Sequence, residues 1–161
     1  MKLMLSDEQF AHALAIARRR QEAAEMKNRP SAWGYDESKS VATHLEGTVS
    51  ELAVSIVTGL PWHAFLEVLT VAGRKPPDVG EDIQVRSTHY KAGCLIAHPT
   101  DADDDRFVLV VVDSDSRHMH IVGWLPGRDC KKQIYWQDKS GKNRPAYFVP
   151  QKALRPIKEI L

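Results

Sequence analysis

Cysteine is scarce in this 161-residue chain: Cys94 and Cys130 are the only two, far apart and outside any Cys-x-x-Cys spacing. Neither a disulfide framework nor a four-cysteine zinc site can be built from them, and a reducing cytoplasm is the expected compartment. Long hydrophobic runs are also missing. None approaches the roughly 20 residues of a membrane span, and the apolar start runs straight into Ser6-Asp7-Glu8-Gln9, so neither a leader nor a membrane partner is expected. Nucleotide-binding loops of the Gly-x-Gly-x-x-Gly or Gly-Lys-Ser/Thr type do not occur. A Gly-x-Ser-x-Gly elbow is absent too, and neither cysteine stands beside an obvious helix start or base, so covalent hydrolase chemistry has no support. Finally, there is no excess of one charge: 22 Lys and Arg face 21 Asp and Glu, for a net +1.

The charges that are present are segregated along the chain. From residue 128 to the end there are nine Lys or Arg against Asp129, Asp138 and Glu159, with Tyr135, Trp136, Tyr147 and Phe148 among them. Cations mixed with aromatic rings suit a surface that meets phosphates and stacks on bases, which makes Arg128, Lys131, Lys132, Lys142 and Arg144, with Lys91, candidate nucleic-acid contacts. The alternative is a solvated cationic edge with its aromatics in the core.

The length suits one domain spanning residues 1–161, with an N-terminal helix and loop over 1–37 and a core over 38–161. Ser6 followed by Gln9 predicts a capped helix from residue 6 to about 27, on whose second half Arg18-Arg19-Arg20 is expected to be a solvated face. Residues 28–38, with Pro30 and Gly34, predict a loop. Leu45, Val49, Leu52 and Ile56 recur at helical spacing and predict a second helix from residue 38 or 39 to 57, ended by Gly59 and Pro61. Glu51 stands beside that stripe, where its side chain can reach a buried site. Residues 61–77 predict a connection with a short strand near 66–71.

Strand patterns follow at 82–88, 94–97, 107–113 and 119–124. The run Phe107-Val-Leu-Val-Val-Val112 is apolar on both faces and predicts a central strand covered on two sides. The fold class is therefore α/β in the α+β sense: a mixed central sheet flanked by the N-terminal helices. Residues 123–128 predict a strand running into a turn, and residues 150–161 a short final strand or helix.

The most informative stretch is Pro76-Pro-Asp-Val-Gly-Glu-Asp-Ile-Gln-Val-Arg86: an acidic residue at a turn, then a strand with Ile83 and Val85 on one face and Asp82, Gln84 and Arg86 on the other. Polar side chains on a buried strand must be paired or must hold a ligand, since each left unpaired costs about 1–3 kcal/mol. A divalent cation that hydrolyses phosphodiesters needs fixed oxygen donors and a cation to steady the phosphate, and these residue types supply both.

With Gly47-Thr-Val-Ser-Glu51 on a helix, Pro77-Asp78-Val79-Gly80 at a turn and Gln84-Val85-Arg86 on a strand, residues 40–155 resemble the PD-(D/E)xK nuclease superfamily, and small phage-type proteins within it. The resemblance implies a restriction-endonuclease-like fold, DNA as partner, Mg²⁺ or Mn²⁺ as cofactor, and the cytoplasm of a bacterial host. Carried over, Asp78 is the central metal carboxylate, Glu51 a helix-borne ligand, Gln84 an oxygen ligand on the strand, and Arg86 stands where a Lys is usual. Two departures follow: Gln84 is neutral where an acid is usual, and Arg86 stays protonated and cannot be a general base. Water activation would fall to the metal, His89 or Lys91. The alternative implied is a catalytically degenerate relative that binds nucleic acid, a phage or host protein, or a second copy of itself.

Two weaker patterns complete the reading. His118-Met119-His120 has a spacing that zinc sites sometimes use, but no third ligand is close in sequence and two histidines on a solvent-facing strand edge are the expected reading. The Asp101-Ala-Asp-Asp-Asp105 run lacks the acid at its twelfth position that a calcium loop needs and is expected to be an acidic turn.

Overall fold

The computed structural model describes residues 1–26, 40–64, 76–139, 141 and 143–161. The expected loop at 28–38, the expected strand at 66–71, the 37/38 boundary and Lys142 lie outside the described residues.

Helix α1 runs over Asp7–Met26, and its first turn is closed by the expected reciprocal cap: Gln9 N–H donates to Ser6 Oγ (3.2 Å) and Ser6 N–H to Gln9 Oε1 (2.9 Å). Helix α2 spans Ser40–Thr58 and stops at Gly59, whose φ of +69° is the left-handed conformation a helix end favours. The two helices pack on one another, and α2 also lies against the sheet. Being covered on two sides changes which residues α2 buries. Val49, Ala53 and Val54 are fully buried, whereas Ile56, expected in the stripe, is 39% exposed. Thr48 and Ser50 are buried as well, and each satisfies its hydroxyl on a carbonyl one turn back, Leu45 and Glu46 respectively.

A four-stranded mixed sheet carries the fold. Its strands are β1 (Lys2–Met4), β2 (Ile83–Thr88), β4 (Arg106–Val112) and β5 (His118–Pro126), in the order β1-β5-β4-β2. β2 runs parallel to β4; the other two pairings are antiparallel. β4 is central and covered on both faces, as its unbroken apolar run requires. Val108, Val110 and Val112 join the helices in one core, while Phe107 and Leu109 join a second core on the opposite face.

That second core is where the expected architecture is corrected. The helices cover one face of the sheet only. The other is covered by a three-stranded antiparallel sheet of β3 (Leu95–Ala97), β7 (Ala146–Val149) and β6 (Trp136–Gln137), in the order β3-β7-β6. Strands β1, β6 and β7 are two to four residues long, too short for alternation to declare them. A helical turn α3 (Gly127–Cys130) follows β5, and the C-terminal residues form two short 3₁₀ segments, Gln151–Ala153 and Ile157–Ile160. The architecture is mixed α+β with two sheets.

Cys130 sits inside the second core with no exposed surface, and burial, with Asp129 adding, pushes its thiol up to about 12. Cys94 is half-buried. A disulfide-exchange reagent at pH 8 is therefore expected to titrate Cys94 alone in the native protein and both thiols in denaturant; rapid reaction of two thiols in the native state would contradict this placement.

Candidate functional site

The candidate residues divide between the two faces of β2: Glu51 approaches from the α2 side, whereas Gln84 and Arg86 project to the opposite face, towards β3 and the acidic turn. Ile83 pairs back onto Val79 through a tight turn in which Gly80 has φ +59°, and Val79 in turn bridges Trp62. The ribbon β2–Val79–Trp62 thus extends the sheet towards α2. Along it, His63 N–H donates to the Asp78 carbonyl (3.2 Å), Gly80 N–H to the Pro61 carbonyl (2.9 Å), and His63 Nε2–H to the Gly80 carbonyl (2.7 Å).

Glu51 meets this ribbon from the helix. Although it is a carboxylate in the interior, only 8% exposed, it is satisfied at both oxygens. Arg20 of α1 donates to Oε1 (2.9 Å) and Oε2 (2.8 Å) in a bidentate pair, and the Trp62 indole N–H donates to Oε2 (2.9 Å). The solvated Arg triplet is corrected accordingly: Arg18 and Arg19 are exposed, but the Arg20 side chain is only 14% exposed. Its position was legible after the fact, because Arg20 continues the buried face of Ala13, Ile16 and Ala17 by one further step of three. Burial and the nearby Arg20 charge together hold the His44 imidazole below its ordinary value.

Asp78 is 5% exposed, and its Oδ2 accepts the Val85 N–H (2.8 Å). Its own N–H donates to the Ile83 carbonyl (2.8 Å), so Asp78 covers the free edge of β2 with main chain and side chain at once. Gln84 and Arg86 share the opposite face from Ile83 and Val85, as the alternation requires. The Gln84 amide donates to Asp105 Oδ2 (3.2 Å) and to the Pro76 carbonyl (3.3 Å). Arg86 donates through Nε to the Ile96 carbonyl (3.1 Å) and through Nη2 to Asp101 (3.0 Å), with its guanidinium 5.0 Å from the centre of the Phe107 ring. Arg86 thereby ties β2 to β3 and to the acidic turn. Asp105, 1% exposed, is a partner that nothing in the run of four acids distinguishes from its neighbours.

Glu51, Asp78 and Gln84 are oxygen donors of the kind hard cations take. Their arrangement does not fit a closed metal site: among the described residues no group of three His, Cys, Asp or Glu side chains stands close enough to share an ion. The Arg20 guanidinium also occupies the Glu51 carboxylate that a cation would need. His89 is exposed on the β2–β3 loop, 3.4 Å from Glu46, so the two glutamates of α2 divide: Glu51 faces the ribbon and Glu46 the loop.

Four cations of the basic C-terminal stretch are paired in space, two by the acidic turn and two by Asp129. Asp104 pairs with Arg128 (2.6 Å), Asp103 with Lys131 (2.7 Å), and Asp129 with both Lys132 (3.3 Å) and Arg155 (2.9 Å). Lys131 holds the Asp103 carboxyl below its usual range by a direct hydrogen bond. Arg144 lies beyond β6, away from this cluster in sequence, and is exposed. His118 and His120 are exposed on one face of β5, and His118 Nδ1 lies 2.5 Å from Asp115. Asp115, which also accepts the His118 and Arg117 N–H groups, is held well below the carboxylate range by those bonds.

No helix among the described residues is long and apolar enough to cross a membrane. No family model, no curated protein and no solved structure matches this chain.

Proposed function

We propose that the chain is a nuclease-like, DNA-handling domain of the restriction-endonuclease-like kind, dependent on Mg²⁺ or Mn²⁺ for phosphodiester hydrolysis. The observation that supports this reading is the burial of three oxygen-bearing side chains, Glu51, Asp78 and Gln84, at 8%, 5% and 3% exposure. Burying such groups is costly unless they are paired or hold a ligand. These are the residues that the family resemblance would make metal ligands.

A second reading has its own supporting observation. Glu51 is saturated by Arg20 and Trp62, and Arg86 is tied to Asp101 and Ile96. These contacts suit a domain that keeps the framework without cleavage and serves as a nucleic-acid- or protein-binding accessory.

Asp78→Asn separates the two readings better than removal of the whole side chain. The amide oxygen can still accept the Val85 N–H, so the strand edge stays covered while the charge is lost. Mn²⁺ titration calorimetry and plasmid nicking with and without EDTA are the measurements. EDTA-sensitive nicking that falls at least about 100-fold in Asp78→Asn, with metal binding lost, is the expected result. Nicking that survives the substitution would overturn the site, and absence of metal binding at millimolar Mn²⁺ would favour the accessory reading.

A further inference from the structure

The second sheet leaves part of the main sheet's outer face open. It covers Phe107, Leu109 and Leu125, but not the far end, where β1 pairs with β5 and the β2–β3 loop folds past β4. There Lys2, Met4, Lys91, Val111, His118 and His120 line a cavity of about 580 Å³, within the roughly 300–1,000 Å³ of ordinary ligand sites. Met4 is 59% exposed on it.

Charge sets this face apart from the basic stretch near the C-terminus. Among the described residues neither Lys2 nor Lys91 has an ion-pair partner, whereas Arg128, Lys131 and Lys132 are all paired. Asp113 is the one acid in the lining, and Asp115 is engaged by His118. Tyr90, beside Lys91, is 67% exposed, with its ring 4.0 Å from that of His89. An exposed ring adjoining Lys91, at the rim of a face that carries a second cation without an ion-pair partner, matches an unpaired base followed by its phosphates, and a cavity of this size admits nucleotides but not a duplex.

We propose that this open face binds a single nucleic-acid strand, with Lys2 and Lys91 on the phosphates and Tyr90 stacking on a base; it rests on the nucleic-acid reading above. The groups facing His120 agree with it. Burial, the Met1 ammonium and Lys2 hold that imidazole below its ordinary value, with Lys91, Asp113 and the His118–Asp115 pair also on the face. A phosphate seated beside them favours the protonated form. Binding therefore raises the His120 midpoint and strengthens as pH falls through it.

The test is fluorescence anisotropy with a labelled oligothymidylate of about twelve nucleotides, run in EDTA so that no metal site contributes. Lys2→Glu with Lys91→Glu is expected to weaken binding at least about tenfold, and Lys2→Ala with Lys91→Ala to lower the log–log salt slope by about 1.4. Tyr90→Ala is expected to weaken it at least about fivefold, and Arg128→Glu with Lys132→Glu less than about twofold. All these side chains are at the surface, and a thermal melt checks that each variant is folded. NMR of His120 should show its midpoint rising when the oligonucleotide is added, and an unchanged midpoint would place the strand elsewhere. Loss of binding through Arg128 and Lys132 rather than Lys2 and Lys91 would overturn the groove and leave the nucleic-acid reading standing. No oligonucleotide binding by the wild type would overturn both. Self-association through the β1 edge that Lys2→Glu abolishes, without oligonucleotide binding, would assign the face to a second copy of the chain.

Discussion

Glu51→Ala is expected to cost about 3–5 kcal/mol of folding stability, read by urea denaturation, because it breaks a buried ion pair from one side. The two side chains are 14% and 11% exposed, so solvent does little to screen the pair or to replace what is lost. The substitution takes two acceptor oxygens from the Arg20 guanidinium and one from the Trp62 indole. Desolvation, already incurred by Arg20, is no longer offset by its carboxylate. For a chain of this size the loss corresponds to a fall in Tm of roughly 6–20 °C. Arg18→Ala and Arg19→Ala, on the exposed face of the same helix, should stay within about 0.5 kcal/mol. Replacing both partners, as in Arg20→Met with Glu51→Leu, should recover much of the loss, since an apolar pair leaves no charge buried. A Glu51→Ala protein within about 1 kcal/mol of wild type would show that the pair carries no such energy. This cost also means that loss of activity in Glu51→Ala alone cannot be assigned to a ligand role, which is why Asp78→Asn is the functional variant of choice.

Gly127→Ala is the second large effect, expected at about 2–3 kcal/mol or more. A methyl group there would lie 2.1 Å from the Ala102 carbonyl oxygen and 3.1 Å from the Asp103 Cα, both main-chain atoms that cannot swing aside. The cause is contact rather than backbone strain. Gly127 N–H donates to the Asp105 carbonyl (2.8 Å) and Arg128 N–H to the Asp103 carbonyl (3.0 Å), so α3 and the acidic turn are joined main chain to main chain. Displacing the turn disturbs Asp101 under Arg86, Asp103 on Lys131, Asp104 on Arg128 and Asp105 on Gln84. Because Cys130 closes the same helical turn, Gly127→Ala should also make its thiol reactive in the native state. A variant with wild-type stability and a silent Cys130 would mean that the turn shifts without consequence.

Both predictions concern contacts between segments distant in sequence, and this is where the site was least legible. Local patterns disclosed α1 with its cap, α2, and strands β2 to β5, because capping and periodicity act within a few residues. They also disclosed that Gln84 and Arg86 share a face. They did not disclose β6 and β7, nor therefore that β3 belongs to a second sheet, since strands of two and four residues have no period to read and pairing between distant segments leaves no local pattern.

Charge shows the same division. The sequence by itself determined that cations crowd the C-terminal fifth, that acids crowd residues 101–105, and that Asp78, Gln84, Arg86 and Glu51 are the polar residues placed to enter a buried region. Only the tertiary structure decided which charges cancel: the acidic turn folds over α3 and neutralises its cations, Arg20 crosses from α1 to Glu51, and Lys2 and Lys91 stay open on an uncovered sheet face. The physical reason is range. Backbone hydrogen-bonding preference and side-chain periodicity are fixed over a turn or two of chain, whereas an ion pair depends on a separation of a few ångströms between residues that here lie 24 to 31 positions apart.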